Sequence, residues 1–327
     1  MGQRSVEGFR SFLQMLRCPR CGAELSPPTE TALACSSERC GERYPIAADR
    51  PVLIDESQSI FRKESYLAAS GSKAAVGADE SRGALAEWIR RLPSPSVNLS
   101  ARRCLTRMRN SILAHGSAPI VLVVGGGIMG KGMRMLMEDS SIRPINIDVS
   151  PQSDAVMFCD AHSLPFASGS IDAVVVQAVL EHVADPVQCA AEIWRVLRPG
   201  GVVYSELPFM QEVHQEGYDF TRFSHMGQRR LFRRFAEMES GVVAGPGTTL
   251  AWAWRYFLAA FAPTKSAAKV LYWIGRVTGM LFEQADYFLG QRPGAHDAAS
   301  CIYFLGTKAD GVVTDSELVS GYRGAQR

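Results

Sequence analysis

The chain has 327 residues, 46% hydrophobic and 21% charged, with a formal net charge of +2. Such a composition describes a soluble globular protein with room for about two domains, and it excludes a wholesale electrostatic pull toward nucleic acid or membrane. No stretch reaches the roughly 20 apolar residues of a membrane span, and the N-terminus lacks the continuous apolar core of a secretory signal.

Taken in chain order, residues 1–16 carry Phe9, Phe12, Leu13 and Leu16 at helical spacing. Residues 17–56 form a Cys- and Pro-rich module ending in PVLID, and a weakly helical stretch follows from Ile60 to about Leu92. PSPSVNLS (93–100) reads as a linker whose Ser100 caps a helix beginning ARRCLTRMRN. After Pro119 apolar strands alternate with helices. Strands are expected at 120–124, 144–148, 155–159, 171–176 and 201–206, and helices at 128–138 and 185–197. This alternation predicts an α/β fold with a parallel, doubly wound sheet. A basic helix is expected near 224–239, then an aromatic-rich section at 250–290 and a last strand, Cys301 to Gly306.

Four of the eight cysteines fall in residues 18–40, which suits metal binding in a reducing, cytoplasmic compartment better than a disulfide framework. Cys18 and Cys21 form one close pair, Cys35 and Cys40 another, with 13 residues between the pairs. Two short knuckles presenting two sulfurs each match the four soft ligands of a structural Zn²⁺ site, which keeps no position open for substrate. The segment LRCPRCGAELSPPTETALACSSERCGERYPIAADRPVLIDE also resembles a family of small zinc ribbons found as partners or N-terminal fusions of methyltransferases. In that family the module stabilises or presents the catalytic domain.

VLVVGGGIMG sets Gly125, Gly127 and Gly130 in a G-x-G-x-x-G frame after an apolar strand, with Gly126 inside the turn. Glycine lets backbone turn tightly and approach a ligand without a Cβ. Asp148, at the end of the next strand, is placed to accept from ribose hydroxyls. These features alone suit S-adenosylmethionine, NAD or FAD equally. The following residues separate them: FCDAHSLPF with Asp160 and Ala161, SIDAVVVQAVLEHVADP with Gln177, and AAEIWRVLRPGG before VVYSELP. In this order the run over about 117–210 resembles the class I S-adenosylmethionine-dependent methyltransferases, especially the group carrying D-x-x-x-L-P-F and L-E-H-V-x-D-P. The resemblance implies a Rossmann-like seven-stranded sheet of order 3-2-1-4-5-7-6, with CIYFLGTK as an antiparallel seventh strand. It also implies adenine recognition at Asp160. One position departs from the family: Val123 stands where an acid usually helps bind the methionine amino group.

Methyl transfer needs an aligned acceptor and, for a hydroxyl or charged amine, a base. His182, after the fourth strand of the sheet, is the first candidate, against a purely structural histidine closing the loop. PFMQEVHQEGYDFTRFS adds His214 and Asp219 for acceptor orientation or proton removal, and Tyr218, Arg222 and His225 for acceptor binding. An Asp219–Arg222 structural ion pair is the competing reading. Ligands of open α/β sheets bind at this carboxyl edge. Arg229, Arg230, Arg233 and Arg234 are read as a solvated helix face before an anion site. The aromatic section is expected to form a helical lid at 250–298, with peripheral membrane contact through 250–289 or a dimer contact as alternatives.

The expected division is a zinc-ribbon-like module at 1–60, a helical linker at 61–116, a methyltransferase domain at 117–310 and a tail at 311–327. The expected function is methyl transfer to a small-molecule or glycan-type acceptor. RNA methylation guided by the ribbon is less favoured: residues 1–60 hold seven basic against eight acidic residues. NAD-dependent oxidation stands as the alternative that rests on the glycine frame alone.

Overall fold

The computed structural model describes residues 8–71, 97–127 and 129–326. Among the described residues, ten strands form one sheet. They are β1 (Ala32–Ala34), β2 (Arg43–Ala47), β3 (Arg50–Leu53), β4 (Ile120–Val124), β5 (Arg143–Asp148), β6 (Met157–Cys159), β7 (Ile171–Gln177), β8 (Leu197–Pro208), β9 (Phe235–Ala244) and β10 (Cys301–Lys308). Their order is β1-β2-β3-β6-β5-β4-β7-β8-β10-β9. β4, with the near-continuous apolar run IVLVV, pairs in parallel with both β5 and β7 at the centre, as a strand covered on both faces should.

From β6 to β9 the order is the 3-2-1-4-5-7-6 expected from the resemblance. β10 is the antiparallel seventh strand, lying between β8 and β9. An all-parallel dinucleotide fold of order 3-2-1-4-5-6 has no such inserted strand. One face of the sheet is covered by helix Pro186–Val196 through Cys189, Ala190, Ile193 and Val196; the other by helix Ala101–Leu113 through Cys104, Leu105, Met108 and Ile112. Asp185 caps the first of these by accepting from the backbone N–H of Val187 and Gln188.

The Cys-rich module is sewn into this sheet. β3 runs parallel to β6, with Val52 opposite Phe158 and Leu53 opposite Cys159, and Leu33, Tyr44 and Cys18 share the main core with strand residues. Residues 9–15 form a short 3₁₀ helix that buries Phe9 and Phe12 in the same core.

Several local expectations are corrected. Ser100 occupies the cap position without a side-chain cap bond; the acceptor there is Asn98 Oδ1, 2.8 Å from Ala101 N and 3.2 Å from Ser100 N. The helix expected at 128–138 is only Arg134–Met137. The Pro-Gly-Gly segment lies inside β8, where the β7–β8 register shifts, with Gly200 at φ +70°. The basic helix at 224–239 ends at Leu231, and the chain then enters β9. In the weakly helical stretch from Ile60, helix Lys63–Gly71 is observed; residues 72–92 of that stretch and linker positions 93–96 lie outside the described residues.

Candidate functional site

Three groups of side chains gather at the carboxyl edge of β4–β8 or beside it. The first is the glycine turn after β4. Gly125 takes φ +70°, and a Cβ on Gly127 would sit 2.5 Å from Asp148 Oδ2, so this turn admits no side chain there. Gly127 N donates to Asp148 Oδ2 (2.7 Å), and Asn146 Nδ2 donates to Gly126 O (3.0 Å). Asp148 Oδ1 accepts from Ser150 N at 2.7 Å, which leaves both oxygens further lone pairs for hydroxyl donors. Asn146 Oδ1 is buried and unpartnered beside this turn. A small cavity of about 40 Å³ is lined by Val123, Gly125, Gly126, Gly130, Asn146 and Gln177. A Cβ-less cradle, a carboxylate with spare acceptor capacity and an orphaned amide oxygen together fit the sugar and tail of a nucleoside cofactor.

Asp160 is placed differently from expectation. It is 5% exposed, and its oxygens accept from Ser59 Oγ (2.5 Å), His162 N (3.0 Å) and His162 Nδ1 (2.6 Å). These hydrogen bonds hold its carboxyl below the usual range against the opposing effect of burial. Its side chain closes the loop onto the segment that follows the Cys module; neighbouring Ala161 is buried.

The second group lies in the loops after β7 and β8. Ala178 (φ +52°) turns the chain out of β7, and Glu181 and His182 follow. Glu181 is fully buried and neither carboxylate oxygen has a hydrogen-bond partner; burial pushes its carboxyl up to about 8. His182 Nε2 stands 3.6 Å and His214 Nε2 3.8 Å from Glu181 Oε1, and the two rings meet edge to face at 4.9 Å. Burial lowers the His182 imidazole below its ordinary value. The sequence singled out both histidines and passed over Glu181, which makes the tightest use of the loop.

Asp219 and Arg222 are occupied by one another. Arg222 forks onto both Asp219 oxygens and donates to Gln211 O (2.8 Å) and Glu212 O (3.0 Å), while Asp219 Oδ2 also accepts from His214 N (2.9 Å). The guanidinium holds the Asp219 carboxyl down at about 2. The expected proton removal by Asp219 and anion recognition by Arg222 give way to the structural ion pair, because every strong donor and acceptor of the two already has a protein partner. The pair fixes the loop that carries His214. Tyr218 is half exposed and stacks on Phe61 at 6.2 Å.

His225 does not reach this cluster. It is 3% exposed, bonds Ser240 Oγ through Nε2 (2.9 Å) and packs on His296 at 4.8 Å, so it is a core residue and not an acceptor contact. The arginines after it are similarly engaged. Arg229 is buried against Glu237, Arg230 and Arg233 pair with Asp315, and Arg234 stacks on Trp194. Glu206, also unforeseen, is buried at the end of β8 opposite Gln177 and accepts from Tyr204 Oη (2.5 Å) and Asn98 Nδ2 (3.1 Å).

Over this edge sits a hairpin of helices Pro246–Ala260 and Lys265–Gln284. Trp252 reaches the His214 ring (6.2 Å) and Tyr256 Oη donates to Val213 O (3.1 Å). Its outer face exposes Phe257, Phe261, Val277 and Leu281. Among the described residues, no helix is long and apolar enough to cross a membrane.

The third group is the cysteine cluster. The four sulfurs of Cys18, Cys21, Cys35 and Cys40 lie within 4.8 Å of one another, with Cys18–Cys40 at 3.8 Å and Cys21–Cys35 at 3.4 Å. Tetrahedral zinc with Zn–S bonds of about 2.3 Å separates its sulfurs by about 3.8 Å, so the donor set fits that ion.

Residues 122–205 match the family described as a methyltransferase domain. A ubiquinone/menaquinone biosynthesis C-methyltransferase of Desulfotalea psychrophila is 35% identical over 89 residues, 27% of this chain and 32% of that protein. An uncharacterised chloroplastic methyltransferase of Arabidopsis thaliana is 43% identical over 67 residues, 17% of this chain and 19% of that one. The chain thus spans about a third or less of the length of the curated relatives it matches. Among solved structures, a Haemonchus contortus phosphoethanolamine N-methyltransferase in complex with S-adenosyl-L-methionine is 17% identical, with a TM-score of 0.38 over 63% of this chain and 53% of that one. Residues 122–205 are thus similar to a methyltransferase domain and lie within the sheet described above, which also takes in the N-terminal module carrying the four-cysteine cluster.

Proposed function

We propose that the protein is an S-adenosylmethionine-dependent methyltransferase acting on a small-molecule or glycan-type acceptor. The observation that carries this reading is the match of residues 122–205 to a methyltransferase domain on a sheet whose seventh strand is antiparallel. The glycine turn with Gly125, Gly126, Gly127 and Gly130 would hold the cofactor, with Asp148 on its ribose and Gln177 beside it. The cofactor, when bound, supplies an electrophilic methyl group on sulfonium sulfur.

The chain's own residues do the rest. Glu181, His182 and His214 face the acceptor side and orient its nucleophilic atom, and the Asp219–Arg222 pair positions His214. Trp252 and Tyr256 cover the cluster as a lid, and Tyr218 with Phe61 offers an aromatic wall suited to a sugar or another flat apolar face. RNA as acceptor is disfavoured by the engagement of Arg229, Arg230, Arg233 and Arg234 with protein partners, since a basic stripe free for phosphates is the expected footprint. The Cys₄ site would hold structural zinc.

The test is calorimetric titration of S-adenosylmethionine into wild type and Gly127→Arg. The variant forces a long side chain against Asp148 and Ser153 and is expected to lose binding while its far-ultraviolet circular dichroism is retained. Undiminished affinity in that variant would remove the glycine turn from the cofactor site.

A further inference from the structure

Glu181 poses a physical problem that methyl transfer does not by itself resolve. A carboxylate with no exposed surface and no hydrogen-bond partner on either oxygen is costly unless something compensates it. The two imidazole nitrogens facing Glu181 Oε1 stand at 3.6 and 3.8 Å, beyond hydrogen-bond reach. Such separations are those of atoms sharing an ion. Metal–ligand bonds of about 2.0–2.2 Å set neighbouring N and O donors of a tetrahedron about 3.4 Å apart.

The far sides of both rings support the same arrangement. His182 Nδ1 lies 2.9 Å from Tyr218 O, an acceptor only, so Nδ1 carries the proton and Nε2 keeps its lone pair toward Glu181. His214 Nδ1 faces two acceptors, Glu212 O at 3.3 Å and Asp219 Oδ2 at 3.5 Å, and one donor, Arg222 Nη2 at 3.5 Å; a proton shared with the nearest of these, the Glu212 carbonyl, leaves Nε2 its lone pair. Metal-binding histidines are oriented by carbonyl or carboxylate partners in this way. Arg222, the nearby cation, is paired with Asp219 and adds little net positive charge. The side chains of His182 and His214 keep 18% and 23% exposure, so the histidine side of the cluster is reached from solvent while Glu181 is not.

We propose that Glu181, His182 and His214 bind one first-row divalent metal ion, separate from the ion of the Cys₄ cluster, and that its open positions take an oxygen of the acceptor. The metal assignment rests on the cluster's geometry; the acceptor role rests on the methyltransferase reading above. Two nitrogens and one carboxylate suit zinc, cobalt or iron, and three protein ligands leave room for an exogenous one.

The test uses the full chain, first loaded with one zinc per chain at the cysteine cluster and then titrated with Co²⁺. Wild type is expected to take one further Co²⁺ per chain, with the weak visible bands of a nitrogen–oxygen site and no thiolate charge-transfer band. Glu181→Gln, His182→Ala and His214→Ala are each expected to weaken that binding by at least about 10-fold. Their zinc content should stay at one per chain, which verifies that they fold. Wild type taking no Co²⁺ beyond the cysteine cluster, or variants binding it as tightly as wild type, would overturn the proposal. S-adenosylmethionine binding is read in a separate titration, so cobalt uptake without cofactor binding keeps the metal site and discards only the methyl-transfer reading.

Discussion

His225 is held neutral inside the protein: burial, with repulsion from His296, Arg229 and Arg323, lowers its imidazole to about 3. The unfolded chain binds that proton near the ordinary value of about 6.5. The stability it contributes is therefore complete above about pH 6.5 and is lost progressively as pH falls toward 3. The slope from this one group is up to about 1.4 kcal/mol per pH unit. His225→Gln, which keeps a neutral partner for Ser240, should flatten the stability profile between pH 6 and 4 in denaturant titrations; an unchanged slope would show that other groups dominate. The same residue marks a limit of sequence reading. A histidine in a polar run beside His214 looks like a site residue, and only the packing of β9 behind it shows otherwise. Glu181 is the converse. A glutamate in a loop reads as solvated, and its burial arises from Phe220 N and Thr221 N closing over its backbone carbonyl, a contact across some forty residues of chain.

At the scale of elements, the hairpin of helices Pro246–Ala260 and Lys265–Gln284 hangs on one buried acid. Asp286 Oδ atoms accept from Gly245 N (2.8 Å), Gly247 N (2.8 Å), Thr248 N (3.0 Å) and Thr248 Oγ1 (2.6 Å), satisfying the orphan donors at the start of the first hairpin helix. Asp286→Ala leaves those donors buried and unpaired, and a loss on the order of 3 kcal/mol is expected in urea unfolding. Asp286→Asn should recover part of it; equal stability of the alanine variant would show that water replaces the cap. The aromatic-rich composition of 250–290 led to the expectation of helices there, whereas a cap supplied from some forty residues away leaves no local pattern in sequence. The basic run at 224–239 was misread for a related reason. Arg229–Arg234 continue a helical charge pattern, but Phe235–Ala244 is drawn into the sheet by pairing with β10, and that pairing is non-local.

At the scale of the molecule, the central strands were legible because buried parallel strands read as apolar runs, while their order followed only from the resemblance to class I methyltransferases. The joining of the cysteine module to the sheet was not, since a two-residue parallel pairing leaves no pattern in sequence. That joining has a thermodynamic consequence. If zinc holds the Cys₄ cluster, its removal withdraws binding energy from a module whose Leu33, Tyr44 and Leu53 belong to the main core. Chelation, or Cys21→Ser, should therefore lower the melting temperature of the whole chain in one calorimetric transition. A separate low-temperature transition, with the main one unmoved, would show that the module folds independently.

The central claim is that the edge of β4–β8 binds S-adenosylmethionine. Titration calorimetry of the wild-type chain with S-adenosylmethionine and, in parallel, NADH addresses it most directly. One S-adenosylmethionine per chain at micromolar affinity, with no heat from NADH, is the predicted result. NADH binding without S-adenosylmethionine binding would contradict the account.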